Sequence, residues 1–319
     1  MNCFDKPYYF FGDYLRHKYK TRVYKLSINA NFSCPNRDGT LDTKGCIFCS
    51  PEGSASPLTR HPSNILEQLG LVKSCFKRLD NQTKYISYFQ AFTNTYAKVD
   101  HLKRLYDLAL QPDNIIGLMI GTRPDCLSEK ILDLIASYQK DNFELWLEIG
   151  MQTIHDKSLD YLNRKHNFAI TKKKILEARD RDIPVCVHLI LGIPGESWPE
   201  MMATAEEISN LPIQGIKFHH FHVIKRTVLE KMYKNKPFKL LTMSEYVSVI
   251  CDFLERIRGD IIIHRLSGDK DPNFLVAPLW GKNKGTIKQA IEDEFQKRCT
   301  YQGFLVPGIG GVRDQEDQT

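Results

Sequence analysis

Between residues 23 and 225, short apolar, β-branched runs alternate with longer segments whose apolar positions recur at helical spacing. Such alternation predicts βα units around a parallel sheet. Six runs read as strands: VYKLSINA (23–30), KYISYFQA (84–91), IIGLMIGT (115–122), FELWLEIG (143–150), VCVHLILG (185–192) and GIKFHHFHVI (215–224). Helical segments fill the gaps at 63–79, 100–110, 128–139, 171–180 and 199–210, several opening on Ser, Thr or Asp as an N-cap. Six units are too few to close an eight-stranded barrel, so the expected fold is α/β, a partial (β/α)6 TIM-like barrel with its chemistry at the C-terminal strand ends. Beyond residue 235 the rhythm changes to a helix (242–257), a strand-like DIIIHRL (260–266), a Gly- and Pro-containing stretch and a last helix (285–297). The expected division is an N-terminal segment (1–22), a barrel core (23–235) and a C-terminal α+β extension (236–319) whose polar tail frays.

Bulk composition changes this picture little. The 319 residues, 42% hydrophobic, support a sizeable core. No run approaches the roughly 18 apolar residues that span a bilayer, and the N-terminus lacks the features of a secretory signal. A cytoplasmic protein without a membrane partner is expected. The net charge of +6 fits an anionic partner such as RNA, yet is common among proteins that bind none. Nine cysteines, an odd count spread along the chain, point to thiols or metal ligands before disulfides.

Three of those cysteines share one loop. Directly after the first strand, NFSCPNRDGTLDTKGCIFCSPEG places eleven residues between Cys34 and Cys46 and two between Cys46 and Cys49. Its Pro and Gly turn formers let a loop wrap thiolates around one centre. A cubane cluster held by three protein thiolates leaves one iron open to a ligand, whereas electron-transfer clusters and structural zinc are usually closed by four. A zinc loop completed by a histidine, and a thiol redox pair, remain open on spacing alone.

This loop, together with TRPD (122–125), LEIGMQT (147–153), LNRKH (162–166) and HLILGIPGES (188–197), resembles the radical S-adenosylmethionine (SAM) superfamily in its version with a long first gap, as in the catalytic subunit of elongator. With CPNRDGT and RLSGDKDPNFLVAPLWGKNK (265–284), the chain is similar throughout to the bacterial YhcC/YtqA type. The resemblance implies a [4Fe–4S] cluster on Cys34, Cys46 and Cys49, with SAM on the open iron. It assigns Phe48, Gln90, Gln152, Arg164 and His188 to SAM, Gln90 standing where many relatives carry a Gly-Gly-Glu segment. Three of them have an ordinary alternative: a core aromatic for Phe48, and a satisfied buried polar residue for Gln90 and His188. Gly192, Pro194 and Gly195 would form a sharp turn, with Glu196 capping the next helix.

Arg123, His220 and Lys225 are the substrate-side candidates, with an Arg123–Asp125 salt bridge as the plain alternative. In KFHHFHVIKR (217–226), Lys217, His219 and Phe221 would share one strand face. The basic stretches 16–25 and 163–174 read as solvated faces. The subfamily resemblance implies action on the C5 side chain of the tRNA wobble uridine, carboxymethylaminomethyl towards aminomethyl, with a flavodoxin- or ferredoxin-type reductant. Radical chemistry on a small molecule such as a porphyrinogen, and a zinc-stabilised RNA-binding module, are the competing readings.

Overall fold

The computed structural model describes residues 6–53, 55–59, 64–76, 82–268, 272–280 and 284–307. The frayed tail expected at 310–319 lies outside these residues, as do parts of the 63–79 and 265–284 segments.

All six expected strands form: β1 (Val23–Ile28), β2 (Lys84–Phe89), β3 (Ile115–Thr122), β4 (Glu144–Gln152), β5 (Val185–Leu191) and β6 (Gly215–His220). The run at 215–224 breaks after His220, and its end becomes the short β7 (Val223–Ile224). The strand read in the C-terminal extension, β8 (Ile262–Arg265), then pairs parallel with β6. The main sheet is therefore seven-stranded and all-parallel, in the order β1-β2-β3-β4-β5-β6-β8. Its two ends are different strands, so the barrel is partial and open. Residues 272–280 contribute β9 (Leu275–Ala277), which pairs antiparallel with β7.

The helices are α1 (Phe11–Tyr19), α2 (Ile65–Ser74), α3 (Val99–Ala109), α4 (Glu129–Ala136), α5 (Asp156–Tyr161), α6 (Phe168–Arg179), α7 (Trp198–Asn210), α8 (Val228–Asn235), α9 (Met243–Glu255) and α10 (Lys284–Arg298). Local chemistry sets their starts. Ser128 accepts from Ile131 N and Asn167 from Ile170 N, while Thr242 and Glu245 form a capping box on α9. At α7 the cap is Ser197, with Glu200 reaching back to its amide at 2.7 Å, and not the expected Glu196. The turn before it does use its glycines, with φ +81° at Gly192 and +90° at Gly195.

The sheet's outward residues, among them Leu118, Leu147, Val187 and Phe218, pack under the helices in the main core. Inward residues alternate with them. The basic segment 16–25 is only partly the solvated face expected of it. Helix α1 bridges the two open edges, contacting β1 and β8. Its Phe11 and Leu15 pack with Ile86, Met119, Trp146 and Ile262 in the floor of the half-barrel. Lys18 reaches Glu144 at 2.6 Å, and Lys25 lies over the Phe11 and Tyr88 rings. By contrast Lys172 and Lys174 make ordinary partly exposed ion pairs with Glu207 and Glu177.

Candidate active site

Above this floor, at the C-terminal strand ends, lies a cavity of 480 Å³. Cys34, Cys46 and Cys49 line it, together with Phe48, Gln90, Gln152, Arg164, His188, Arg123, His220 and Lys225, so the fold brings every candidate residue to one space. Their settings within it differ.

The cysteine loop is pinned from two sides. Arg37 donates to the carbonyls of Cys49 (3.0 Å), Ser50 (2.5 Å) and Pro51 (3.1 Å), closing the Cys46–Cys49 turn. Gly45 sits at φ +74°, and a Cβ there would come 3.0 Å from Arg37 Nε, so the tight turn requires glycine. From the other side, Asn163 in the LNRKH segment donates to Gly45 O and Asp42, while Ile47 N bonds Leu162 O and Ile47 O accepts from Leu229 N. Two donors then meet the Cys46 sulfur: Arg164 Nη1 at 3.3 Å and Asn36 Nδ2 at 3.5 Å. Burial alone would raise the Cys46 thiol, but the Arg164 and Arg123 guanidiniums and these hydrogen bonds outweigh it and favour the thiolate.

That donor set fits a cluster ligand. Three thiols open on one cavity, one of them already stabilised as thiolate by flanking donors, as sulfur ligands of iron require. One buried donor remains beside them. Arg123 forks onto Asp125 with two 2.9 Å bonds, the salt bridge weighed above, and also donates to Arg164 O, which leaves its buried Nη1 unpaired among the described residues. An anion in the cavity would satisfy it.

Arg164 is more committed than its expected role in holding SAM suggests. Besides Cys46 it bonds Gly150 O (2.8 Å) and His166 Nε2 (3.2 Å), and a Cβ on Gly150 would approach its Nη2 to 3.0 Å. Arg164→Gln should therefore weaken cluster binding about 10- to 100-fold, as loss of an outer-shell partner does. Chelator competition against the reconstituted protein checks this. Gln152 closes β4 after an irregular register with β5 and stands at φ +71°, a conformation that costs a non-glycine residue about 1–2 kcal/mol. Gln90 accepts from Ser27 at 3.1 Å through its Oε1, which leaves its amide N–H groups as donors. Asn94, four residues on, ties Phe89 O to Gly121 O and is structural.

His188 sits one inward layer below Ile190, opposite Lys217 in register. It joins a buried cluster that sequence reading missed. The Glu148 carboxylate, fully buried, accepts on Oε2 from Tyr88 Oη (2.6 Å), His188 Nε2 (2.6 Å) and Lys217 Nζ (2.8 Å). Burial opposes its charge, yet Lys217 and His188 hold its carboxyl well below the usual range. Burial in turn depresses Lys217 to about 8 and His188 to about 4, with Glu148 opposing in both cases. The only sequence signal was the occurrence of Glu, Lys and Tyr at inward positions of otherwise apolar strands.

His220 faces away from this floor. It packs against Trp280 (4.4 Å between ring centroids) and Tyr246 (5.6 Å), and burial lowers it to about 4. Lys225 lines the cavity beside Phe274, to whose carbonyl its amide donates. A histidine with a depressed folded pKa takes up fewer protons than the unfolded chain, so stability is lost as pH falls from about 6.5 towards 4. The free energy of unfolding should fall by up to about 1.4 kcal/mol per pH unit per such histidine. His188→Gln should flatten the measured dependence by about one proton.

Residues 41–208 match the Radical SAM superfamily and residues 213–297 match the Radical_SAM C-terminal domain. The chain is 36% identical to YtqA of Bacillus subtilis (strain 168), over 94% of this chain and 92% of that one. It is 38% identical to YhcC of Escherichia coli (strain K12), over 86% and 88%. Among solved structures, the archaeal Methanocaldococcus infernus Elp3 has the same fold, with a TM-score of 0.64 at 17% identity over 88% of this chain and 64% of that one. A half-barrel with three cysteines after its first strand, and a family match over half its length, make this chain a member of the radical SAM superfamily, whose enzymes use SAM and a [4Fe–4S] cluster.

Proposed function

We propose that this enzyme acts on the C5 side chain of the tRNA wobble uridine, converting carboxymethylaminomethyl towards aminomethyl. The observation that carries the reading is that Lys217, His219, His222, Lys225 and Arg265 line the same cavity as the three cysteines. Basic and imidazole groups in the cavity of a radical site suit an anionic nucleotide substrate. Among relatives, a tRNA uridine(34) acetyltransferase of Methanocaldococcus infernus is 30% identical over 58% of this chain and 34% of its own length, which supports a uridine-34 substrate.

In this reading Cys34, Cys46 and Cys49 hold the cluster and Phe48, Gln90 and Gln152 line the SAM pocket. Bound together, cluster and SAM supply a 5′-deoxyadenosyl radical after one-electron reduction by a flavodoxin- or ferredoxin-type donor. The chain's part is to orient the substrate carbon and exclude water. Phe48, Ile190 and Phe221, members of one apolar cluster, line the cavity, and the α1 floor closes it from below. No helix among the described residues is long and apolar enough to cross a membrane, and a cytoplasmic site of action belongs to the proposal. Nucleoside mass spectrometry of tRNA from a deletion strain tests it. Carboxymethylaminomethyluridine should accumulate at the wobble position, and an unchanged profile sinks the proposal.

A further inference from the structure

We infer that the cavity's floor and far wall form a subsite for an N-substituted glycine, with the carboxylate on Lys217 and His219 and the amine nitrogen against His188. This rests on the proposed reading, since a carboxymethylaminomethyl group is an N-substituted glycine. The geometry nevertheless carries it from the chain's own residues.

Each of the three side chains has its polarity fixed from behind. Arg265 Nη2 donates to His219 Nδ1 at 2.8 Å, so that nitrogen is the acceptor and the proton of a neutral ring sits on Nε2. His188 places Nε2 against the Glu148 carboxylate at 2.6 Å, so in the neutral ring Nε2 carries the proton and Nδ1 is the acceptor. Burial keeps both rings neutral, depressing His188 to about 4 and His219 well below its usual range. Of the three N–H groups on Lys217, one goes to Tyr88 Oη (2.6 Å) and one to Glu148 (2.8 Å), which leaves the third for the cavity. All three residues line the cavity, on neighbouring strands β5 and β6.

The result is two donors, one of them charged, beside one neutral acceptor. A carboxylate takes the donors and an amine N–H takes the acceptor, the pairing that a glycine unit presents. Gly268 fits the same design, because a Cβ there would press on His219 Nδ1 at 3.1 Å and His222 Cε1 at 3.2 Å and disturb the Arg265 clamp.

Saturation-transfer NMR on the reconstituted, oxidised protein with SAM bound tests the subsite without RNA. The probes are N-methylglycine and methylamine. N-methylglycine should show transfer and methylamine, lacking the carboxylate, should not. In His219→Phe the N-methylglycine response should fall about tenfold, the loss expected for one charge-assisted hydrogen bond. His219→Gln, which keeps an N–H near the Nε2 position, should restore it to within about threefold. Arg265→Gln, which releases the clamp, should weaken it in the same direction. Iron content and thermal midpoint report whether each variant is folded, and Arg265→Gln supplies the comparison if His219→Phe is not. Equal N-methylglycine transfer in wild type and the folded variants overturns the subsite, as does an equal response to methylamine. Transfer that depends on His219, combined with an unchanged wobble nucleoside in the deletion strain, upholds the subsite for a free N-substituted glycine and overturns the tRNA reading.

Discussion

Cys46→Ala is expected to strip the reconstituted protein of about four irons per chain and to abolish SAM cleavage, while the barrel stays folded. Cys46 is buried and central to the loop, receiving hydrogen bonds from both Arg164 and Asn36. A cluster on three thiolates has no spare ligand to lose. The barrel itself does not depend on that metal. Its strands pair over the whole length from β1 to β8, and its apolar core lies between the sheet and the helices, away from the cysteine loop. Iron and sulfide analysis with far-ultraviolet circular dichroism checks both halves of the result. Four irons retained with Cys46 gone would point to a ligand outside the triad.

The second large effect is expected at Glu148. Glu148→Gln removes the buried negative charge while leaving Lys217 and His188 in place, and breaking such a pair from one side costs about 3–5 kcal/mol. At roughly 2–4 °C per kcal/mol for a chain of this size, the thermal midpoint should drop by on the order of 10 °C. Glu148→Gln combined with Lys217→Met should recover most of that loss, because removing both partners leaves no buried charge without a counter-ion. A double variant as unstable as the single one would show that Glu148 acts through packing and not through charge.

These two residues also mark how far the sequence could be read. The cysteine loop was legible because its spacing is local and its place after a strand follows from the apolar pattern. The six strands were legible for the same reason, since runs buried under helices are continuous and β-branched. The outer support of the loop was not. Asn36, Arg37 and Asn163 look like ordinary loop polars until the chain after α5 folds back onto the cysteines. The Glu148 cluster was hidden for a related reason. Its members come from β2, β4, β5 and β6, and only the folded sheet brings the side chains of Tyr88, His188 and Lys217 onto Glu148. Helix α1 escaped because FFGDYLRHKY mixes basic and aromatic residues. Its apolar side is only Phe11 and Leu15 deep, and its role as a floor depends on the gap between β1 and β8.

The seventh strand shows tertiary context deciding between two uses of one segment. DIIIHRL was readable as a strand, but nothing local placed it beside β6. Burial of His264 between Phe11 (4.0 Å between centroids) and Trp146 (4.5 Å) fixes it there, so N-terminal and C-terminal segments close the half-barrel together. Site and fold are joined at that point, because the same layer carries the Glu148 cluster that floors the cavity.

The most direct test of the central claim is anaerobic incubation of the reconstituted, dithionite-reduced protein with SAM, measuring 5′-deoxyadenosine and methionine. The account predicts that both form with the wild-type protein and that neither forms with Cys46→Ala. A protein carrying its full complement of iron that yields no 5′-deoxyadenosine, with or without tRNA, would contradict it.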